Sequence, residues 1–297
     1  MSLLKKRRGG ERIETQWSIA LRRFRKDKVA MTGVFVFLVI LIVAVVQTSV
    51  NPSGWSTLTQ DYYQAPSMKH LFGTTAAGLD LFSACLKGAE QDLIVALIVS
   101  TMSMVIGTAV GAIAGYFGGL IDALLMRFVD LLLVVPLLTI LIVMSNLFQN
   151  SSNSPLFIAL LIGFLSWTYI SRLVRAEFLA LRERPFVEAS IALGASSWRV
   201  ITRHLIPNAI GTILVNTTLT VSGAILLEST LSYLGLGIVP PSVSLGMLVQ
   251  EGQGAATTSP WEFLFPAGLL LAIVLCMFAI GDGMQSAFDP RNARRRK

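Results

Sequence analysis

The sequence predicts an all-α membrane protein with six transmembrane helices, and three observations predict it. Of its 297 residues, 54% are hydrophobic and only 14% are charged, whereas a soluble domain carries roughly a quarter charged residues. The apolar residues fall in runs long enough to cross a hydrocarbon core of about 30 Å, which takes about 20 helical residues. The runs do not alternate apolar with polar at every second position, so helices rather than strands of a barrel must satisfy the backbone in lipid.

Taken in order, residues 1–28 read as a basic tail and 29–50 as the first transmembrane helix, with no charge from Val29 to Val46. That run is expected to stay as an anchor, because its preceding tail is long for a signal peptide and no small-x-small cleavage site follows it. Residues 51–92 read as an extracytoplasmic loop, with Trp55, Tyr62 and Tyr63 suited to the membrane interface. Residues 93–283 then form a core of five helices. The second run opens at Leu93 and stays uncharged to Ile121, with Gly107, Gly111, Gly115 and Gly119 recurring every four residues on one expected face. That spacing suits a moving interface or tight static packing, and in both cases the face meets protein.

Asp122, Arg127 and Asp130 mark the start of the third span, where Arg127 and Asp130 lie three apart and within pairing reach. Pro136 lacks a backbone donor and is expected to kink this span. The polar segment Gln149–Pro155 divides the charge-free stretch from Leu131 to Ser171 into the third and fourth spans. The fifth run extends from Ala209 to about Leu227, the sixth from Phe263 to Ile280, and residues 284–297 form a second basic tail.

Basic residues mark the cytoplasmic side of a span. Ten precede Val29, one is Arg127, six lie between Arg172 and Arg203, and five follow Asp289. Only Lys69 and Lys87 fall on the other side, which puts both termini in the cytoplasm. The net charge of +7 resides in flanks such as KKRR and RRRK beside the spans, a topology signal in contact with anionic lipid and not a nucleic-acid surface. Cys85 and Cys276 form no redox or metal spacing and read as packing residues, and the two histidines, His70 and His204, are too few and too distant for a metal site.

One segment does not belong in hydrocarbon. The loop 185–208 carries Glu188, Arg199, Arg203 and His204 between two spans, on the cytoplasmic side. Pro185 can open a helix, Glu188 sits where the helix dipole favours a carboxylate, Gly194 interrupts, and Ser196 or Ser197 can cap a second short helix ending at Pro207. Val187, Ile191, Trp198, Ile201 and Leu205 interleave with the charges, giving each short helix an apolar and a charged face. Helices this short are marginal alone in water, so the segment needs a partner surface, either lipid headgroups or a groove on a second protein.

EASIALGASSWRVITRHLIPN, from Glu188 to Asn208, resembles the EAA loop of ABC importer permeases. Glu188, Ala189, Gly194, Leu205, Ile206 and Pro207 fit its spacing; Ser190 replaces the second Ala, and His204 stands where many members have Ile. GYFGGLIDALLMRFVDLLLVVP, HLFGTTAAGLD, ESTLSYLGLGIVPP and AIGDGMQSAFDPR are similar to segments of the C-type permease subunit of oligopeptide, dipeptide and nickel importers. The chain departs at Thr75 and Leu79, where many members have Asp and Arg, and at Leu245, where many have Trp.

The resemblance implies a type I ABC importer permease fold whose cytoplasmic coupling helices receive mechanical work from an ATPase. It implies as partners a second homologous permease, two ATP-binding subunits and an extracytoplasmic substrate-binding protein in a bacterial inner membrane. Its coupling residues would be Glu188, Ala189, Ser190, Gly194, Ala195, Ser196, Trp198, Arg199, Arg203, Leu205, Ile206 and Pro207. The chain has no G-x-x-x-x-G-K-[ST] phosphate loop, so ATP and Mg²⁺ are expected in partner subunits and no cofactor in this one. Peptides are the implied substrate, with nickel or another small solute as the alternative.

The translocation path has four candidates. Asn216 and Thr220 give the fifth run a polar side, Glu228 lies near its outer end, and Pro136 marks the expected kink. Glu228 could instead hold the following loop, LSYLGLGIVPPS from Leu231 to Ser242, by hydrogen bonds. An ion-coupled secondary transporter would show broken helices, midplane ionisable residues and an inverted repeat. An intramembrane enzyme would need a nucleophile, dyad or metal cluster within the spans. The sequence gives Glu228 as the one charge near a span interior and no such cluster.

Overall fold

The computed structural model describes residues 16–148 and 154–288. Most of the basic tails, most of the segment Gln149–Pro155 and Asp289 therefore lie outside the described residues. Helix α1 (Gln16–Phe24) lies within the first tail, and Arg23 Nη1 in its last turn donates to Ala287 O at 3.4 Å. The first span is α2 (Lys28–Val50), N-capped by Asp27, whose carboxylate accepts from Val29 N and Ala30 N.

The next helix corrects a boundary. α3 runs from Leu81 to Phe117, 37 residues, and starts well before the expected Leu93. The cause is Asp80, an N-cap whose carboxylate accepts from Ser83 N at 3.0 Å and Ser83 Oγ at 2.7 Å, while His70 Nδ1 lies 2.9 Å away. Lys87, Glu90 and Asp92, expected in the loop, are thus helical, and the loop ends at residue 80. At about 1.5 Å per residue, α3 is about 55 Å long, so it extends beyond the hydrocarbon at one end or both.

The α3 glycines serve tight packing against α6 (Pro155–Arg182). A Cβ at Gly107 would lie 2.8 Å from Trp167 O, one at Gly111 2.4 Å from Ser171 O, and one at Gly115 2.6 Å from Phe178 Cβ. Lipid gives helices no hydrophobic drive to associate, so backbone approach of this kind is what holds them. Gly119 is not on that face; it lies past the helix end, in the left-handed region at φ +56, after Gly118 at φ +66. Arg182 Nη1 closes the same end by donating to Tyr116 O at 2.9 Å.

After that turn come α4 (Gly119–Val134) and α5 (Leu137–Leu147), bent by 76° from each other. The expected kink at Pro136 is thus a break: Val135 is extended and Pro136 starts the second piece. Arg127 and Asp130 do not pair on their own helix. Asp130 instead pairs with Arg172 on α6, and Asp122 takes two bonds from Arg175, at 2.5 and 2.6 Å.

The chain continues through two short helices, α7 (Pro185–Ala192) and α8 (Ser197–Val200), into α9 (Ile206–Tyr233), then α10 (Leu245–Gln253) and α11 (Trp261–Phe288). Among the described residues, five helices are long and apolar enough to span a membrane, and the bent α4–α5 pair makes six if counted as one. One core joins α3, α6, α9 and α11, while a second, around Val174, Phe178, Val200 and Leu205, lies at the Phe117 end. The loop 51–80 and α10 lie at the Leu81 end. Cys85 and Cys276 are buried, as packing residues should be.

Two glycine substitutions separate the sources of stability. Gly111→Ala should lower the thermal unfolding temperature in detergent by an overpacking cost of about 1–3 kcal/mol. Gly119→Ala, which meets nothing within 4 Å, should incur only left-handed strain of about 1 kcal/mol.

Candidate functional site: a two-helix elbow

The elbow connects α6 to α9. Pro185 supplies the first residue of α7, and Arg184 O accepts from Val187 N at 2.9 Å to start it. Gly194 ends it at φ +84, where a side chain is disfavoured whatever the space. Gly194 N donates to Ile191 O at 2.9 Å and Ala195 N to Ser190 O at 3.1 Å, so the turn satisfies the orphan carbonyls of the helix end. Ser196 then caps α8, its hydroxyl accepting from Arg199 N at 3.4 Å.

The second short helix does not stop at Pro207 as expected. It passes through a π-helical turn, Ile201–Leu205, directly into α9, so that Ser197–Tyr233 is one continuous rod. A proline inside an α-helix loses one donor and collides with the carbonyl four residues back. The wider turn removes that conflict: Ile206 N reaches Ile201 O, and Asn208 Nδ2 takes His204 O at 2.6 Å. Leu205, Ile206 and Pro207 therefore form the joint between elbow and span, not a stop.

The inner face of the elbow is set in the bundle. Val187, Val200, Ile201 and Leu205 are buried against Ile170, Val174 and Phe178 of α6 and Ala112 of α3. Ile191 and Trp198, expected on that face, are instead 49% and 69% exposed. One apolar set of the elbow thus faces in and a second faces out. With Phe186 and Leu193, which sequence reasoning did not select, they give four exposed large apolar side chains beside Glu188, Arg199 and Arg203. Leu193 is the extreme at 89% exposed. Trp198 also rims an apolar hollow of about 330 Å³ between the elbow, α3 and α9. Ala189 and Ser196 are exposed as well, and Ser190 and Ala195 half-buried.

The path candidates divide. Pro136 and Thr220 line one hollow of about 300 Å³ at the α4–α5 break, together with Thr168, Tyr169 and Leu227. Asn216 is not in its lining; its side-chain Nδ2 donates to Thr212 O at 2.8 Å, and its backbone carbonyl accepts from Thr220 Oγ1 at 2.9 Å. Glu228 is fully buried away from that hollow, accepting from Ser232 Oγ at 2.5 Å and Ser229 Oγ at 3.4 Å. It is therefore placed to hold the following loop, because Ser232 Oγ also accepts from Ile238 N at 2.8 Å.

Nor is Glu228 the one charge-bearing residue in the span interiors. Asp92 is fully buried beside it, with Oδ2 accepting from Leu245 N at 3.2 Å. Sequence reasoning missed Asp92 because it placed the helix start at Leu93, just past this residue, and not at Leu81. The signal lay in Asp80, a capping residue ahead of Leu81, Cys85 and Ala89 at helical spacing. No group of three or more His, Cys, Asp or Glu among the described residues can hold a metal.

Comparison with known proteins gives a consistent result. Residues 107–294 match the family described as binding-protein-dependent transport system inner membrane component, and residues 15–67 match the N-terminal TM domain of oligopeptide transport permease C. The oligopeptide transport system permease protein OppC of Mycobacterium tuberculosis is 38% identical over 281 residues, 94% of this chain and 96% of that one. The proteins of the same name from Haemophilus influenzae and Bacillus subtilis are 37% and 34% identical over 93% of this chain, covering 89% and 90% of their own lengths. Two inward-facing crystal forms of the MetNI methionine ABC transporter share the fold, with TM-scores of 0.53 and 0.54 at 19% and 21% identity. They align with 68% and 70% of this chain and 95% and 98% of theirs. A bundle of five to six spans with a charged elbow between the fourth and fifth, matched over most of its length, belongs to the family of inner-membrane components of binding-protein-dependent transport systems.

Proposed function

We propose that this chain is one of two related permease subunits of an ATP-driven peptide importer in a bacterial inner membrane, with both termini in the cytoplasm. Two ATP-binding subunits supply the nucleotide chemistry with their own ATP and Mg²⁺, and an extracytoplasmic binding protein delivers the peptide. The named OppC relatives support peptides as the cargo. The observation that carries the coupling role is the two-sided elbow: its inner face is locked into the bundle while four large apolar side chains face outward. A surface of that composition, short of apolar cover and rimmed by charge, fits a groove on another protein.

The mechanism is alternating access. ATP binding draws the two ATPases together and displaces the elbows they hold. Because Ser197–Tyr233 is continuous, that displacement reaches the far end of α9 without an intervening loop. The spans tilt as nearly rigid bodies to open the path outward, and hydrolysis resets them. No residue of this chain performs covalent chemistry.

Glu188→Lys and Gly194→Pro should leave membrane insertion intact but uncouple ATP turnover from uptake or release the ATPase. The proline is incompatible with φ +84. Uptake into vesicles at the wild-type rate by either variant would refute the coupling role. Leu193→Asp, at the most exposed apolar position of the elbow, should weaken copurification of the ATPase subunits by about tenfold or more, the effect of losing an interface anchor, without lowering the amount of chain in the membrane.

A further inference from the structure

At the end of the bundle remote from the elbow lies a hollow of about 710 Å³, between the loop 73–80, α10 and the first turn of α11. Its walls are pinned. Phe72 stacks on Phe265 with ring centroids 4.1 Å apart, Trp261 Nε1 donates to Thr74 O at 3.3 Å, and Ala76 N donates to Glu262 Oε2 at 3.2 Å. Thr75 and Leu79 exchange two further bonds, Thr75 N to Leu79 O at 3.0 Å and Leu79 N to Thr75 Oγ1 at 3.1 Å. The lining includes two carboxylates, Glu251 and Glu262, with the amides of Gln250 and Gln253.

Glu262 is only 6% exposed, and its Oε1 is buried with no hydrogen-bond partner. No described cation answers either carboxylate. The two lysines at this end are engaged elsewhere, Lys69 with Asp61 at 2.5 Å and Lys87 with Glu90 at 3.1 Å. Burial, and secondarily the Glu262 carboxylate, push the Glu251 carboxyl above its ordinary range, the direction expected of paired acids without a counter-ion. Two carboxyl groups without a counter-ion in one hollow remain costly to ionise unless a cation arrives beside them.

A bare metal ion fits poorly, since no described group supplies three of its usual side-chain ligands and the hollow far exceeds one coordination shell. A planar donor group fits better, because carboxylate and amide oxygens can accept its several N–H bonds at once. We propose that this hollow is a binding site for an organic cation, a guanidinium or ammonium group borne by a polypeptide presented at this end of the bundle. That this end faces the exterior rests on the permease reading; the affinity for a cation does not.

The test uses the full chain, copurified with its partners and held in nanodiscs, with N-acetylargininamide as probe and its neutral isostere N-acetylcitrullinamide as control. Calorimetry should give saturable binding of the arginine probe, about tenfold or more tighter than the isostere, as expected for a charge-assisted pair. Glu251→Gln should remove that preference, and Leu79→Arg should abolish it by placing a guanidinium against the same carboxylates. Equal affinity for the two probes, no binding of either, or an unchanged preference in Glu251→Gln would overturn the site. Uptake then distinguishes the source: with a cation carried by the cargo, Glu251→Gln raises KM for arginine-containing peptides alone, and with one carried by the docking protein it raises the half-saturating concentration of that protein for every peptide.

Discussion

The close approach of α3 to α6 is the contact on which the rest of the molecule depends. Three glycines one turn apart let the two backbones meet where any side chain would collide with Ser171 O, Trp167 O or Phe178. In lipid this contact cannot be replaced by generic apolar burial, since the tails solvate leucine as well as another helix does. The consequence reaches past packing. The same α6 that α3 holds leads directly into the elbow, and its Val174 and Phe178 form the floor on which Val187, Val200 and Leu205 rest. Asp122 and Asp130 bind α4 to α6 through Arg175 and Arg172, which ties the broken span to the same post.

From that post the chain runs from the second short helix of the elbow to the opposite end without an intervening loop. The π-helical turn at Ile201–Leu205 allows Pro207 to lie within a continuous helix, so α9 begins, in effect, inside the elbow. Near the far end of α9, Glu228 and Ser232 hold the Leu234–Ser244 connection, and Asp92 of α3 anchors the start of α10 through Leu245 N. A displacement of the elbow therefore meets a hydrogen-bonded network at each end of the same rod. Glu228 reaches that connection through Ser232, whose hydroxyl donates to it and accepts from Ile238 N.

Much of this was legible in the residues. Charge-free runs located the spans, and the EAA-like spacing located the elbow, because both are repeated or strongly constrained patterns. The boundaries and orientations were less legible. Asp80 caps a helix whose first turns contain Lys87, Glu90 and Asp92, and charges of that kind look like loop until the Lys87–Glu90 pair and the bond from Leu245 N to Asp92 are seen. Arg127 and Asp130 satisfied a local spacing rule, yet Asp130 found a guanidinium on another helix, and no single-helix periodicity contains that information. Ile191 and Trp198 were misplaced because two short helices offer too few turns to fix which stripe faces inward; tertiary contact at Val187 and Val200 decided it. The hollow around Glu251 and Glu262 joins segments far apart in sequence, and nothing local announces it.

The central claim is that the elbow and the outer end of α9 move as one body when the ATPases close. Paired spin labels at Leu193 and Tyr233, both exposed, measured in the intact transporter with and without bound ATP, test it directly. The account predicts one narrow distance distribution, unchanged by ATP, while the distance from Leu193 to the second permease shifts. A Leu193–Tyr233 distance that itself changes on ATP binding would place a hinge at the Gly194 turn or the π-helical turn and contradict movement of elbow and span as one body.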